Sequence, residues 1–245
     1  MEIMQVNKPL KLTNNGFLEI VFIGSGTAFG KELYNNNFII IKGNTHLLVD
    51  FGMTGPIALR ENTGLDVADI ENVIITHSHA DHIGGLEFLA LYNRYVAQKF
   101  MNKPKLKMIL SEEYEQILWN MSLRGGMEWN ETSTKGQRLT FNDYFDSIRP
   151  KTLETSPRLV LEINFNGINI ELFGTNHIPE DAESQSQAFM TFGLFVDNRI
   201  LFSGDTKFDS LLFDRYSNKS EYIFHDSSFL PNPVHASIQE LRTLP

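Results

Sequence analysis

The stretch THSHADH, residues 76–82, places three histidines and an aspartate within six positions of a chain with seven histidines in all. It follows NVII (72–75), an apolar run that reads as a strand whose end delivers His77. On an extended segment the i, i+2 pair His77 and His79 points both imidazoles the same way. Asp81 and His82 come as the chain turns into a helix, where they can aim at a second point nearby, so one short loop can serve two metal ions. Gly84 and Gly85 let backbone pass close behind it. Nitrogen and oxygen donors are what zinc accepts.

Composition narrows the chemistry. The 245 residues include no cysteine, so any metal site must use His, Asp or Glu. The missing disulfides fit a cytoplasmic protein. The start, MEIMQVNKPLKL (1–12), lacks a basic region followed by an apolar run, and no stretch approaches a membrane span. A formal net charge of −9 disfavours a large nucleic-acid surface, while a small phosphate ester held by a local dication remains compatible with it.

Outside the motif the pattern is β-rich at both ends. FLEIVFIG (17–24), NFIIIK (37–42) and HLLVDF (46–51) read as strands, with KGN (42–44) as a hairpin turn. From Gly84 the apolar positions 86, 88, 89, 91, 92, 95 and 96 have helical spacing. KLKMIL (105–110) is a strand, and Ser111 caps an acidic-led helix. Residues 123–158 look like a long excursion with short structure. RLVLEINFNGINIELF (158–173) and AFMTFGLFVDNRILFSGD (188–205) are hairpins turning at NG and DN. EYIFHD (221–226) is a last strand, and HASIQELRTL (235–244) starts a final helix. The expectation is an α/β fold of two sheets packed together with helices outside, in a single domain, 1–245.

The motif resembles the H-x-H-x-D-H hallmark of the metallo-β-lactamase superfamily, and further stretches resemble that family in the expected order. LLVDFG (47–52) resembles the strand ending in a supporting aspartate, here Asp50. FGTNHIP (173–179), ILFSGDT (200–206) and PVHAS (233–237) resemble the segments that supply His177, Asp205 and His235. Taken alone, each of these three has a structural reading: a strand-end histidine, a turn former, a helix-start residue. The resemblance implies an αββα sandwich of two mixed sheets. It implies one zinc on His77, His79 and His177, a second on Asp81, His82 and His235, and Asp205 bridging; manganese or another divalent metal fits the same donors. His46 is read as an ordinary strand residue.

YIFHDSSF (222–229) resembles the His-Glu-Ala-Thr segment of the ribonuclease Z group, which implies that His225 is a general acid. Asp226, in the glutamate's place, is then an orienting partner of His225, and Asp81, His225 and Asp226 form the expected catalytic set. FIGSGTAFG (22–30) resembles that group's Gly-rich loop; a dinucleotide fingerprint is the competing reading, but its spacing is one residue too long and no helix follows. His177 and Asp205 are 28 positions apart, room for one loop and one hairpin rather than a tRNA-gripping arm. The set is similar to the anti-Pycsar phosphodiesterases of phages and bacteria. That implies a homodimeric hydrolase of cyclic mononucleotides such as cyclic CMP and UMP. A tRNA 3′ endonuclease and a thioester or lactone hydrolase are the alternatives. Trp129, Phe141 and Tyr144 are candidates for base stacking, against core or dimer roles, and PEDAES (179–184) for the pocket rim, against a solvated loop.

Overall fold

A computed structural model describes residues 2–132, 136–183 and 187–244. The chain divides into two compact units, Met1–Arg149 and Pro150–Pro245, each built on one six-stranded mixed sheet.

In the first unit the strands are β1 (Glu19–Gly24), β2 (Asn37–Lys42), β3 (Thr45–Val49), β4 (Asn72–Ile74), β5 (Leu106–Ile109) and β6 (Phe145–Ile148), adjacent in chain order. β1, β2 and β3 pair antiparallel, the last two across a turn at Gly43 with φ +60°. From β3 to β6 the pairing is parallel, which demands crossovers. Helix Gly55–Thr63 fills the first; its signals are Pro56 in the first turn and the left-handed Gly64 cap, not periodicity. Helix Leu86–Tyr92 continues through a π turn, Asn93–Ala97, into Gln98–Met101. The third crossover starts at Ser111, whose Oγ accepts from the Tyr114 N–H at 3.1 Å, as its N-cap position predicts. Strand residues Ile39, Ile40, Ile41, Leu47, Leu48 and Val49 have no exposure, so β2 and β3 are covered on both faces.

In the second unit β7 (Lys151–Glu154), β8 (Val160–Phe165), β9 (Ile168–Gly174), β10 (Phe192–Val196), β11 (Ile200–Phe202) and β12 (Tyr222–Phe224) run antiparallel except for the parallel β11–β12 pair. The two predicted hairpin turns have left-handed residues at both central positions: Asn166 and Gly167 at +50° and +91°, Asp197 and Asn198 at +52° and +54°. Such turns match the twist of the flanking strands. Helix Ser210–Tyr216, capped by the Asp209 side chain, sets Leu212 and Tyr216 against Val160, Phe173, Phe195 and Leu201. Arg215 grips Glu154 with two bonds of 2.7 and 2.8 Å, tying the helix to β7. The excursion 123–158 thus contributes a strand to each sheet, β6 and β7, more order than its composition predicts; residues 133–135 lie outside the described part. Among the described residues no helix is long and apolar enough to cross a membrane.

Two features of the first unit are open to direct test. His46 on β3 accepts the Glu71 N–H at Nε2 over 3.0 Å, which requires the neutral ring, and burial pushes its pKa below the ordinary value. The unfolded chain, titrating at about 6.5, takes up the proton first. This contribution to stability is therefore complete above about pH 6.5 and is lost as the pH falls towards the lowered native value. In urea titrations of metal-free protein, the parent's midpoint should fall more steeply below that pH than that of His46→Gln. Gly52 is packed against the motif: a Cβ there would lie inside contact distance of the Asp81 backbone oxygen. Gly52→Ala should cost about 1–3 kcal/mol in unfolding titrations through overpacking.

Candidate metal centre

The motif loop of the first unit is held by the segment after β3. Asp50 leaves that strand in a left-handed conformation, φ +59°, which aspartate tolerates better than most residues. Its carboxylate is 4% exposed as a residue and accepts the Thr76 N–H and the Thr76 hydroxyl, each at 2.8 Å. It also accepts from His82 Nδ1 at 2.7 Å. Around it, the Phe51 N–H reaches His82 O at 2.7 Å and the Gly85 N–H reaches Phe51 O at 2.8 Å. His79 is the N-cap of helix Ala80–Ile83, and its carbonyl accepts from His82 and Ile83. This short helix brings Asp81 Oδ2 to 3.3 Å from His82 Nε2. His77 and His79 meet edge to face, with His77 Nε2 and His79 Nδ1 3.0 Å apart.

These bonds fix ring protonation. A carboxylate can only accept, so His82 carries its proton on Nδ1. The single proton of the Thr76 hydroxyl goes to Asp50, so its oxygen accepts from His77 Nδ1, 3.1 Å away. In the neutral form of both rings Nε2 then bears the lone pair, the form a metal requires.

In the second unit Gly204, φ +61° and backed by Phe192 O, turns the chain beyond β11 to present Asp205. The Thr175 hydroxyl holds the Asp205 carbonyl at 2.9 Å. His177, 1% exposed, follows β9, and its Nδ1 donates to the Val234 carbonyl at 2.9 Å. Its Nε2 lies 3.8 Å from Asp205 Oδ2. His177, Asp205 and His235 each bring one donor atom within 4.8 Å of the others. The donor set fits a divalent cation: two imidazoles and one carboxylate, with His177 held in the Nδ1–H tautomer by an acceptor that cannot donate.

Asp226 departs from the sequence-based expectation. Its carboxylate accepts from His235 Nδ1 at 2.6 Å and from the Thr206 N–H at 3.1 Å, not from His225. His225 instead donates Nδ1–H to the Asp226 backbone carbonyl at 2.7 Å. Neighbouring side chains on a strand end point apart, so one carboxylate cannot face the adjacent histidine as readily as a residue nine positions on. The positioning groups missed by sequence are Thr76, Ser203 and the Val234 carbonyl. Thr76 abuts the motif and was readable there; the other two leave no signal in a linear pattern.

Three amides of the Gly-rich loop are spent on backbone carbonyls of the loop and of the segment after it. The N–H groups of Ser25, Gly26 and Gly30 go to Leu33 O, Tyr34 O and Thr27 O. Between His177 and Asp205 the described residues include the β10–β11 hairpin. Ser184 of the acidic loop 179–184 is outside the described residues. Trp129 is exposed, with the Arg138 guanidinium 3.5 Å over its ring. Phe141 and Tyr144 are buried.

Comparison with known proteins extends these observations. The chain is 35% identical over 225 residues to an anti-Pycsar protein Apyc1 of Bacillus phage BSP38, covering 91% of this chain and 82% of the relative. Among solved structures it resembles the metallo-β-lactamase fold protein YhfI of Bacillus subtilis, with TM-score 0.63, 14% identity, and 91% and 79% of the two chains covered. It also resembles the short form of human tRNase Z, with TM-score 0.61, 16% identity, and 91% and 86% covered. At that identity the likeness is one of fold, and the two mixed sheets with their helices are those of the metallo-β-lactamase fold. The family model for anti-Pycsar protein Apyc1 matches residues 18–245, through both units, and the chain belongs to that family.

Proposed function

We propose that this protein is a metal-dependent phosphodiesterase that opens cyclic mononucleotides to linear monophosphates, removing a cyclic-nucleotide immune signal. The observation that carries the reading is the ordering of the ring protons. His77, His82, His177 and His235 each have Nδ1 on a protein acceptor, in a chain of a family whose members are named for opposing Pycsar.

In this reading His77, His79 and His177 would hold one divalent ion and Asp81, His82 and His235 a second, with Asp205 contributing to both. Zinc is the expected metal. A bound pair supplies an activated water and neutralises charge on the phosphoryl oxygens. The carboxylates of Asp81 and Asp205 offset part of the added charge. His225 is the proton donor to the departing ribose oxygen. With Nδ1–H committed to the Asp226 carbonyl, only Nε2 can deliver a proton, and the ring acts as acid in its doubly protonated form. A net charge of −9 favours a small phosphodiester gripped by the ions over a long polyanion. The family resemblance supports a homodimer, and the single family model across residues 18–245 supports one hydrolase domain.

Metal-replete protein incubated in parallel with cyclic mononucleotides, cyclic dinucleotides and pre-tRNA should yield only linear mononucleotides, read by chromatography. Cleavage of pre-tRNA alone, or of nothing, would refute the substrate class. Elemental analysis should find two divalent ions per chain. Chelation should abolish turnover, and zinc or manganese should restore it. His79→Ala and Asp81→Ala should lose metal and activity together. His225→Ala should retain both ions and turn over about 10²–10⁴-fold more slowly. Turnover of His225→Ala at the parent rate would remove the acid assignment.

A further inference from the structure

We infer that Asp226 is the positioning residue of the second unit, holding His235 as the Nδ1–H tautomer so that Nε2 is the metal donor. This rests on the reading of His235 as a ligand, and goes beyond it by reassigning Asp226 from the proton donor His225 to the metal ligand. Four bonds meet at this residue. Its N–H donates to Ser203 Oγ at 2.8 Å. One carboxylate oxygen, Oδ2, takes both the Thr206 N–H at 3.1 Å and the His235 Nδ1–H at 2.6 Å. Its carbonyl takes the His225 Nδ1–H at 2.7 Å. Thr206 follows Asp205 directly, and the Ala236 N–H beside His235 donates to Thr206 O at 2.9 Å. One carboxylate oxygen and this backbone bond together space the segment carrying Asp205 from the segment carrying His235. Those residues come from beyond the end of β11 and from the stretch before helix Ile238–Leu241.

The side chain of His235 is 30% exposed, and packing does not select between its two tautomers. A hydrogen bond to a carboxylate sets tautomer and tilt together and makes the opposite nitrogen more basic. Asparagine can place its carbonyl oxygen where Oδ2 stands and keep both bonds, losing the charge alone. Alanine loses both.

The deciding measurement uses the full chain labelled with ¹⁵N in histidine and freed of metal. In the parent, ring ¹H–¹⁵N correlations should show His235 protonated on Nδ1. In Asp226→Ala it should shift towards the Nε2–H form that predominates for a solvated imidazole. With zinc and a chromophoric chelator in competition, Asp226→Ala should bind one of its two equivalents about 10–100-fold more weakly. Asp226→Asn should keep the parent tautomer and show a smaller loss. Circular dichroism melts establish that both variants are folded. A folded Asp226→Ala with the parent's tautomer and zinc affinity overturns the inference. A parent that takes up no zinc instead overturns the proposed function, while the ring correlations still decide the Asp226–His235 pairing. Should Asp226→Ala not fold, Asp226→Leu, close in size and unable to accept a hydrogen bond, carries the same two measurements, and the parent's tautomer and zinc affinity in it would overturn the inference.

Discussion

A buried carboxylate organises the motif. Asp50 lies 26 residues before Thr76, yet its two oxygens account for the Thr76 amide, the Thr76 hydroxyl and His82 Nδ1. An ionised group so enclosed is costly unless it is well hydrogen-bonded. Here the demand for partners is what orders the loop. The Thr76 hydroxyl, having given its proton to Asp50, must accept from His77, so one anion sets the protonation of two histidines. Strand β3 can present it because it pairs parallel with β4, whose continuation is the motif. The left-handed turn at Asp50 then brings the side chain across to the neighbouring strand's end.

The second unit reaches the same end with different chemistry. Asp226 does for His235 what Asp50 does for His82, while His177 is oriented by a backbone carbonyl and His77 by a hydroxyl. Two of the four rings thus have anionic support and two have neutral support. Carboxylate-backed imidazoles are the stronger donors. In the proposed division His82 and His235 serve one ion and His77 and His177 the other, so the two ions would meet ligands of unequal strength.

What was legible in the sequence follows from range. The H-x-H-x-D-H cluster is local, and both NG and DN hairpins declare themselves through residues that tolerate positive φ. Helix Gly55–Thr63 was marked only by its ends. Strand β7 is exposed at Lys151, Thr152 and Leu153, so it shows no alternation of apolar and polar residues. β6 is defined by parallel pairing with β5, nearly forty residues before it, which no local pattern encodes. Among the site residues, His177, Asp205 and His235 were legible only through their joint resemblance to a family. The pairing of Asp226 with His235 was not legible at all, because direction along a strand end is decided by neighbouring segments.

The reassignment of Asp226 bears on how the proposed acid would work. A carboxylate against an imidazolium forms an ion pair that opposes loss of the proton, a poor arrangement for a group that must give its proton up. A ligand has the opposite need: its metal-facing nitrogen should be electron-rich and permanently unprotonated. The structure gives the carboxylate of Asp226 to His235 and only its carbonyl to His225. The carbonyl orients the ring without adding a counter-charge. One residue thereby serves two neighbouring histidines with two different atoms, and the difference between those atoms matches the difference between binding a cation and releasing a proton.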